Sequence, residues 1–316
     1  MSAHGGMSRR RFQGCLAGAS LAAAWGQIDA ASAAEGSSKM SRIATRPIPS
    51  TGEAMPIVGF GTWQTFDIGT SEAERAPRRE VLKLLFEAGG RMIDSSPMYG
   101  RAEAAVGDLL TGMKAHDKAF LATKVWTSGE KAGIAQMEAS FAKLQTKTID
   151  LMQVHNLLDW QTHLKTMRAW KELGRFRYLG ITHYTTSSLE TLAGILEREK
   201  LDFVQMGYSI GVRDAETRLL PVCRDHGVAV IVNQPFESGS LFAKVKGKPL
   251  PAFAAEFDCT SWSQFFLKFI LGHPAITCVI PGTAHPDHAA DNIKAGIGRL
   301  PSEAEREKMV KAWEGI

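Results

Sequence analysis

The sequence predicts an α/β protein with a TIM (β/α)8 barrel and an N-terminal β-hairpin. From residue 57 to the C-terminus, short apolar runs alternate with longer helical patterns, and eight of each can be counted, as in a closed parallel barrel. The chain has 316 residues, of which 44% are hydrophobic, so it can bury the core of one large domain. We therefore expect a single barrel domain over residues 42–316.

The barrel is predicted to begin with two features. The segment RPIPSTGEAMP carries the turn residues of a hairpin at residues 50–53, and the apolar run at residues 57–63 is predicted to be the first barrel strand. This strand contains Gly59 and Gly61, but no GxGxxG pattern opens a helix there. We therefore interpret both glycines as positions of close backbone packing, and phosphate binding as the weaker alternative.

Regular alternation predicts the remaining elements. Ser302 and Glu305 have the spacing of a capping box, so a final helix is expected to follow and to end near Glu314. The predicted strands lie near residues 91–94, 119–125, 150–154, 178–182, 203–207, 229–233 and 277–281, and the predicted helices near residues 78–89, 101–113, 133–144, 163–173, 187–199, 217–226, 260–271 and 286–295.

The N-terminus has the three parts of an export signal. The sequence SRRRF at residues 8–12 resembles the twin-arginine (Tat) motif, and the Ala-rich run at 15–25 is too short to span a bilayer permanently. Small residues at 31–34 offer a cleavage site. We therefore predict a signal peptide over residues 1–34, a polar linker over 35–41, the twin-arginine export machinery as a partner and a periplasmic or exported protein. The alternative is a disordered basic tail on a cytoplasmic enzyme.

Charge and cysteine content exclude several classes of protein. The formal net charge is +4, and about half of it comes from the N-terminal arginines, so nothing indicates nucleic-acid binding. Beyond the predicted signal, Cys223, Cys259 and Cys278 are too few for a disulfide framework and lack metal-ligand spacing. We therefore predict no metal site.

Four polar residues fall at or just after the ends of three successive predicted strands. Asp94 and Tyr99 follow one strand, Lys124 lies near the end of the next, and His155 ends the third. Because the C-terminal ends of barrel strands converge on one face, these side chains should form a cluster. A nearby ammonium lowers the pKa of a phenol, so Lys124 should activate Tyr99 as a proton donor. Asp94 would hold Lys124, and His155 would donate a hydrogen bond to a substrate carbonyl.

These residues, in IDSSPMYG, ATKV and LMQVHN, resemble the catalytic tetrad of the aldo-keto reductases. The resemblance runs from about Ile43 to the C-terminus. It implies a TIM barrel that binds a nicotinamide cofactor across its top face and transfers hydride between that cofactor and a carbonyl or alcohol substrate. It also implies that Tyr99 is the proton donor or acceptor.

The same resemblance implies cofactor contacts at later strand ends. Thr182 and His183 stand where Ser-Asn is common, and Asn233 stands where a tyrosine often stacks on the nicotinamide. NADP is the family default, and relatives that prefer it usually have Lys or Arg at the positions of Gly282 and His288. Since this chain has neither residue there, NAD is an alternative. The implied cofactor-binding residues are Thr182, His183, Gln205, Asn233, Gly239, Gly282, Thr283, His288 and Asn292.

Trp63, Met98 and Trp126 are predicted to line the substrate pocket and to favour a hydrophobic carbonyl. Each tetrad residue also has an ordinary structural explanation, such as a helix cap or a core histidine. Two other functions stay open at this point. One is an exported dinucleotide-binding or sensory barrel without turnover, and the other is a lyase in which Lys124 forms a Schiff base.

Overall fold

The computed structural model describes residues 42–316 as a (β/α)8 barrel preceded by a β-hairpin, which confirms the predicted fold class. The predicted signal peptide and linker lie outside the described residues. The strands are β1 (Thr45–Pro47), β2 (Ala54–Pro56), β3 (Phe60–Gly61), β4 (Met92–Asp94), β5 (Phe120–Val125), β6 (Ile149–His155), β7 (Phe176–His183), β8 (Phe203–Gly207), β9 (Ala229–Asn233) and β10 (Cys278–Val279). The α-helices are α1 (Glu72–Glu87), α2 (Ala102–Met113), α3 (Glu130–Leu144), α4 (Trp160–Glu172), α5 (Leu189–Leu196), α6 (Leu219–Asp225), α7 (Ser240–Lys244), α8 (Trp262–Leu271), α9 (Pro286–Lys294) and α10 (Glu303–Glu314).

The barrel sheet runs in sequence order from β3 to β10, and every neighbouring pair is parallel. Single parallel bridges, Val58 with Val279 and Gly61 with Gly282, join its two edges. Since each strand is followed by a helix, the C-terminal strand ends all face the same way and gather their side chains at one mouth.

Close contact of the first barrel strand with its neighbours on both sides depends on glycine. A Cβ atom built on Gly59 would lie 2.5 Å from the Cβ of Met92, and one on Gly61 would lie 3.1 Å from the carbonyl oxygen of Ile280. A carbon atom does not come so close to a non-bonded carbon or oxygen atom unless one of them is displaced. Both glycines therefore have the packing role expected from the sequence.

The opposite end of the barrel is closed by the hairpin. Ile48 and Met55 are buried against the side chains that fill the barrel interior, among them Phe120, Leu151 and Phe203. A second, larger apolar layer packs the helices against the outside of the sheet. Because the hairpin end is plugged, the mouth is the end at which a site can form.

Some element boundaries differ from the prediction. Helix α1 begins at Glu72 rather than near residue 78, because the Ser71 side chain accepts a hydrogen bond from the backbone of Glu74 and the helix continues through Pro77. Helix α7 was not predicted, because its five residues are too few to show a helical repeat of apolar positions. The final helix was predicted correctly, since Ser302 and Glu305 form the expected reciprocal capping box.

In the part of the chain that the structure describes, no helix is both long enough and apolar enough to cross a membrane.

Candidate active site

The mouth of the barrel contains a cavity of about 720 Å³ at the C-terminal ends of the strands. It brings together side chains that are far apart in the sequence. Eleven of the sixteen residues singled out from the sequence line it, and they are Trp63, Asp94, Met98, Tyr99, Trp126, His155, Thr182, Gln205, Asn233, Gly239 and Gly282.

A buried ion pair lies beneath the cavity. The ammonium of Lys124 is 2.6 Å from Oδ2 of Asp94 and 2.7 Å from the backbone carbonyl of Ser95, and both Lys124 and Asp94 are buried. The same ammonium is 5.0 Å from the centre of the Tyr99 ring. The Tyr99 ring meets the imidazole of His155 edge-on at 5.8 Å. The four residues predicted from strand ends therefore form one cluster.

Two amides complete the surroundings of Asp94. Its Oδ1 accepts hydrogen bonds from the side chains of Gln153, at 3.1 Å, and Gln205, at 2.8 Å. The sequence analysis missed Gln153. Alternation along β6 could have revealed it, because Gln153 lies two residues before His155 and therefore faces the same side of the strand. The carboxylate is thus paired with one charge and two neutral donors, as a buried charge requires.

Burial sets the ionisation of Tyr99. Burial raises the pKa of Tyr99 above its ordinary value, and the charge of Lys124 opposes this shift without reversing it. Lys124 thus lowers the pKa of Tyr99 as the sequence analysis expected, but the net shift is upward because burial has the larger effect. The phenol instead stays protonated at neutral pH, which suits a proton donor.

The other two titratable groups keep fixed charge states. Burial is the largest single influence and lowers the pKa of Lys124, but Asp94 and Tyr99 together raise it by more, so the side chain remains an ammonium. A protonated amine is not nucleophilic, so this environment does not support the Schiff-base alternative. Burial, followed by the charge of Lys124, lowers the pKa of His155 to about 2, which leaves the imidazole neutral.

Large apolar side chains form the outer wall of the cavity. Trp63, Met98 and Trp126 are each 39–47% exposed, although apolar groups of this size are usually buried. Trp126 lies 6.3 Å from the His155 ring, centre to centre. Tyr184 and Phe242 extend this wall and were missed in the sequence analysis. Tyr184 directly follows the end of β7, which is the signal that could have identified it.

Polar groups form the opposite side of the cavity. The amide of Asn233 donates to Oε1 of Gln205 at 3.1 Å, and the Thr182 hydroxyl lies 3.5 Å from the same oxygen. Oδ1 of Asn233 is buried and has no hydrogen-bond partner among residues 42–316. A buried acceptor without a donor is unfavourable, so this oxygen marks a place where a ligand donor would be stabilised.

Comparison with known proteins decides the family. The model of the aldo/keto reductase family matches residues 57–311. The chain belongs to this family. As an aldo/keto reductase it is an NAD(P)-dependent oxidoreductase.

Individual relatives are distant but cover most of the chain. Methylglyoxal reductase YeaE of Escherichia coli is 28% identical over 271 residues, 82% of this chain and 92% of the relative. The NADH-specific methylglyoxal reductase of Escherichia coli is 24% identical over 309 residues, covering 79% of this chain and 92% of the relative. The holo form of an aldo-keto reductase from Bacillus halodurans has a TM-score of 0.68 at 25% identity, covering 86% of this chain and 96% of that one. The complex of an aldo/keto reductase from Klebsiella pneumoniae with NADP and acetate has a TM-score of 0.67 at 24% identity, with 87% and 95% coverage.

In this aldo/keto reductase, five of the sixteen predicted site residues lie outside the cavity wall. Lys124 acts from beneath, and His183 is turned toward Thr185, whose backbone N–H donates to its Nδ1 at 3.3 Å. The other three lie at or on helix α9. Thr283 precedes the helix, and its hydroxyl accepts a hydrogen bond from the backbone N–H of His285. His288 is exposed, and the side chain of Asn292 accepts a hydrogen bond from Ser263.

No group of three or more His, Cys, Asp or Glu side chains that could hold a metal occurs between residues 42 and 316. The three cysteines of this range are buried and free. Burial raises the pKa of the Cys223 and Cys259 thiols to about 12, so they are unreactive at neutral pH.

Proposed function

We propose that the protein reduces apolar aldehydes or ketones and that Tyr99 donates the proton. The single observation that carries this proposal is the position of a protonated phenol at the floor of the cavity, beside a fixed ammonium. As the carbonyl carbon gains hydride, its oxygen becomes basic and takes the phenolic proton. The phenolate that remains is stabilised by Lys124, which Asp94 holds in place.

The pKa values distinguish Tyr99 from His155 as the acid. An imidazole with a pKa of about 2 carries no second proton at neutral pH, so His155 is not the proton source. It can still donate a hydrogen bond to the carbonyl oxygen from its one N–H group. His155 therefore orients and polarises the substrate, and Tyr99 transfers the proton.

The residues of the polar wall fit a nicotinamide cofactor, which supplies the hydride when bound. Its carboxamide offers N–H donors, and the unpartnered Oδ1 of Asn233 is an acceptor that matches them. Thr182 and Gln205 lie beside it. Gly239 and Gly282 line the same cavity, so backbone can approach a ligand closely there. The exposed aromatic wall would face the substrate, whose carbonyl substituents we infer to be hydrophobic.

We infer that the enzyme discriminates weakly between NADP and NAD, although NADP is the common cofactor of such enzymes. His285 and His288 lie near the start of α9 with their ring centres 5.1 Å apart, and no Lys or Arg lies between Gly282 and Asn292. A phosphate gains most from a guanidinium or ammonium partner. The named relatives differ in their cofactor, since one is NADH-specific and another was solved with NADP.

A cofactor titration tests these proposals together. Tryptophan fluorescence of the purified protein would be followed during titration with NADH and with NADPH, and a panel of aromatic, aliphatic and small polar aldehydes would then be added. We expect both cofactors to bind with dissociation constants within about tenfold of each other, a difference of ~1.4 kcal/mol, and oxidation to be fastest with apolar aldehydes. Binding without oxidation of either cofactor by any aldehyde would instead favour the dinucleotide-binding or sensory barrel.

We also propose that residues 1–34 direct export through the twin-arginine machinery and that 35–41 are a linker to the barrel. The proposal rests on the SRRRF motif, the short apolar run and the small residues after it. Fractionation of cells producing the full chain should place it in the periplasm. A variant with Arg9→Lys and Arg10→Lys should stay in the cytoplasm. If both proteins stay in the cytoplasm, the segment is a basic tail rather than a signal.

A further inference from the structure

Ser96 lies between Asp94 and Tyr99 in the segment that joins β4 to α2. Its side chain is fully buried, and its Oγ lies 3.0 Å from Nδ1 of His155. The backbone N–H of Met98 points at the same oxygen at 3.3 Å. Ser96 does not line the cavity. It therefore touches the imidazole from behind, on the side away from the substrate.

The hydrogen bonds around Ser96 restrict where the imidazole proton can be. A neutral imidazole has one N–H, on either Nδ1 or Nε2. If Nδ1 carried it, Ser96 Oγ would accept from both Nδ1 and Met98, and its own hydrogen would have no acceptor among residues 42–316. If Nε2 carries it, the Ser96 hydroxyl donates to Nδ1 and accepts from Met98, and every group is paired.

The cost of an unpaired buried donor decides between these arrangements. An unsatisfied buried polar group is disfavoured strongly enough to bias the tautomer roughly 5- to 150-fold. The nitrogen left for the cavity is then Nε2 with its hydrogen. Only this tautomer lets a neutral His155 donate to a carbonyl oxygen, since the other presents a lone pair that would repel it.

We propose that Ser96 is a positioning residue that fixes His155 as the Nε2–H tautomer and thereby makes it a hydrogen-bond donor to the substrate. This inference rests on the proposed role of His155 in carbonyl reduction. Ser96 does not contact the reacting atoms and acts through the imidazole alone.

Nitrogen NMR of the full-length protein labelled with ¹⁵N-histidine tests this directly, with the His155 signals assigned by their loss in His155→Gln. In the wild type we expect Nδ1 to appear unprotonated and Nε2 protonated at pH 7.5. In Ser96→Ala, the Nδ1–H form should become detectable, and kcat for aldehyde reduction should fall about twofold, because without the bias only about half of the imidazole presents Nε2–H to the substrate, while the dissociation constant of NADPH stays unchanged. Ser96→Thr, which keeps a hydroxyl, should restore the wild-type tautomer.

The neighbouring Ser95 provides a matched control for the spectrum. Its hydroxyl is equally buried and accepts from Thr62 rather than contacting His155, so Ser95→Ala should leave the His155 nitrogen signals unchanged. A wild-type His155 protonated at Nδ1 would overturn the proposal, and so would a Ser96→Ala protein with unchanged tautomer and kcat. The spectrum does not depend on turnover, so an inactive wild type would contradict the proposed reaction and leave the tautomer result readable.

Discussion

Two clusters in this barrel contain the same kinds of side chain, namely a tyrosine, a carboxylate, a cation and a histidine, but they lie in different surroundings. The first, which we call the mouth cluster and propose to be catalytic, lines the 720 Å³ cavity or lies just beneath it. The other, which we call the anchoring cluster, attaches the C-terminal helix α10 to the barrel. The mouth cluster is Asp94, Tyr99, Lys124 and His155, and the anchoring cluster is Tyr208, Glu216, His273 and Arg306.

Hydrogen bonds join three members of the anchoring cluster to one another. The guanidinium of Arg306 donates to the hydroxyl of Tyr208 and to Glu216, at 2.6 Å each, and Tyr208 donates its own hydrogen to Glu216. Burial raises the pKa of Tyr208, just as it raises the pKa of Tyr99. A raised phenol pKa therefore does not identify a catalytic tyrosine. What distinguishes Tyr99 is its access to the large cavity.

Removing the two phenolic hydroxyls should give the largest contrast. In Tyr99→Phe we expect kcat for aldehyde reduction to fall about 10²- to 10⁴-fold, because the proton donor is lost. The dissociation constant of NADPH should not change. Stopped-flow and steady-state oxidation of NADPH, together with the fluorescence titration, measure both quantities.

Tyr208→Phe is the matched control for that variant. It should keep kcat within about twofold and lower the free energy of unfolding by about 1–3 kcal/mol, because Arg306 and Glu216 lose a buried partner. If Tyr208→Phe abolished turnover while Tyr99→Phe did not, the functional assignment of the two clusters would be reversed.

Replacing the cations should separate charge stabilisation from anchoring. Lys124→Met leaves the carboxylate of Asp94 buried beside two amides only, so we expect loss of activity and a decrease of about 3–5 kcal/mol in the free energy of unfolding. Arg306→Met should destabilise less, because the side chain of Glu216 is 35% exposed and can be hydrated, and activity should persist. Urea unfolding and NADPH oxidation measure the two effects.

A second buried lysine, Lys268, shows what the loss of a buried ammonium costs when no carboxylate is paired with it. Lys268 is as buried as Lys124, but it donates only to the backbone carbonyls of Ile297 and Arg299. Burial lowers the pKa of Lys268, whereas Asp94 raises that of Lys124. Lys268→Met should therefore cost less stability than Lys124→Met and leave aldehyde reduction intact. Equal losses in both variants would mean that the ion pair has no special importance.

The sequence predicted the parts of this site that depend on strand ends and not the parts that depend on register. Asp94, Lys124 and His155 could be placed because parallel strands bring their C-terminal ends together whatever their exact pairing. Alternation along β6 places Gln153 on the same side of the strand as His155, but its contact with Asp94 also depends on its pairing with Lys124 across β5 and β6, which the sequence does not show. The effect of Lys124 on the pKa of Tyr99 could be predicted from the sequence, but the larger effect of burial could not, because the depth of burial depends on the assembled walls of the cavity.

Replacing His155 and His273, the histidines of the two clusters, should give the smallest contrast. The difference should appear in the free energy of unfolding below neutral pH. Burial lowers the pKa of His155 to about 2 and that of His273 to about 4, so neither binds a proton in the folded state at pH 5. In the unfolded chain a histidine with an ordinary pKa of about 6.5 does bind one, so the free energy of unfolding falls as the pH falls below that value. For His155, which is only 6% exposed, the loss between pH 7 and pH 5 should be about 2 kcal/mol.

Urea unfolding of the wild type and of the two variants His155→Gln and His273→Gln, each at pH 7 and pH 5, measures this loss. His155→Gln should reduce the acid-induced decrease in stability by about 2 kcal/mol. His273→Gln should reduce it by less, because that ring is partly exposed and solvent screens its charge. An unchanged pH dependence in His155→Gln would show that the imidazole is already charged at pH 5, and it would then compete with Tyr99 as the proton source.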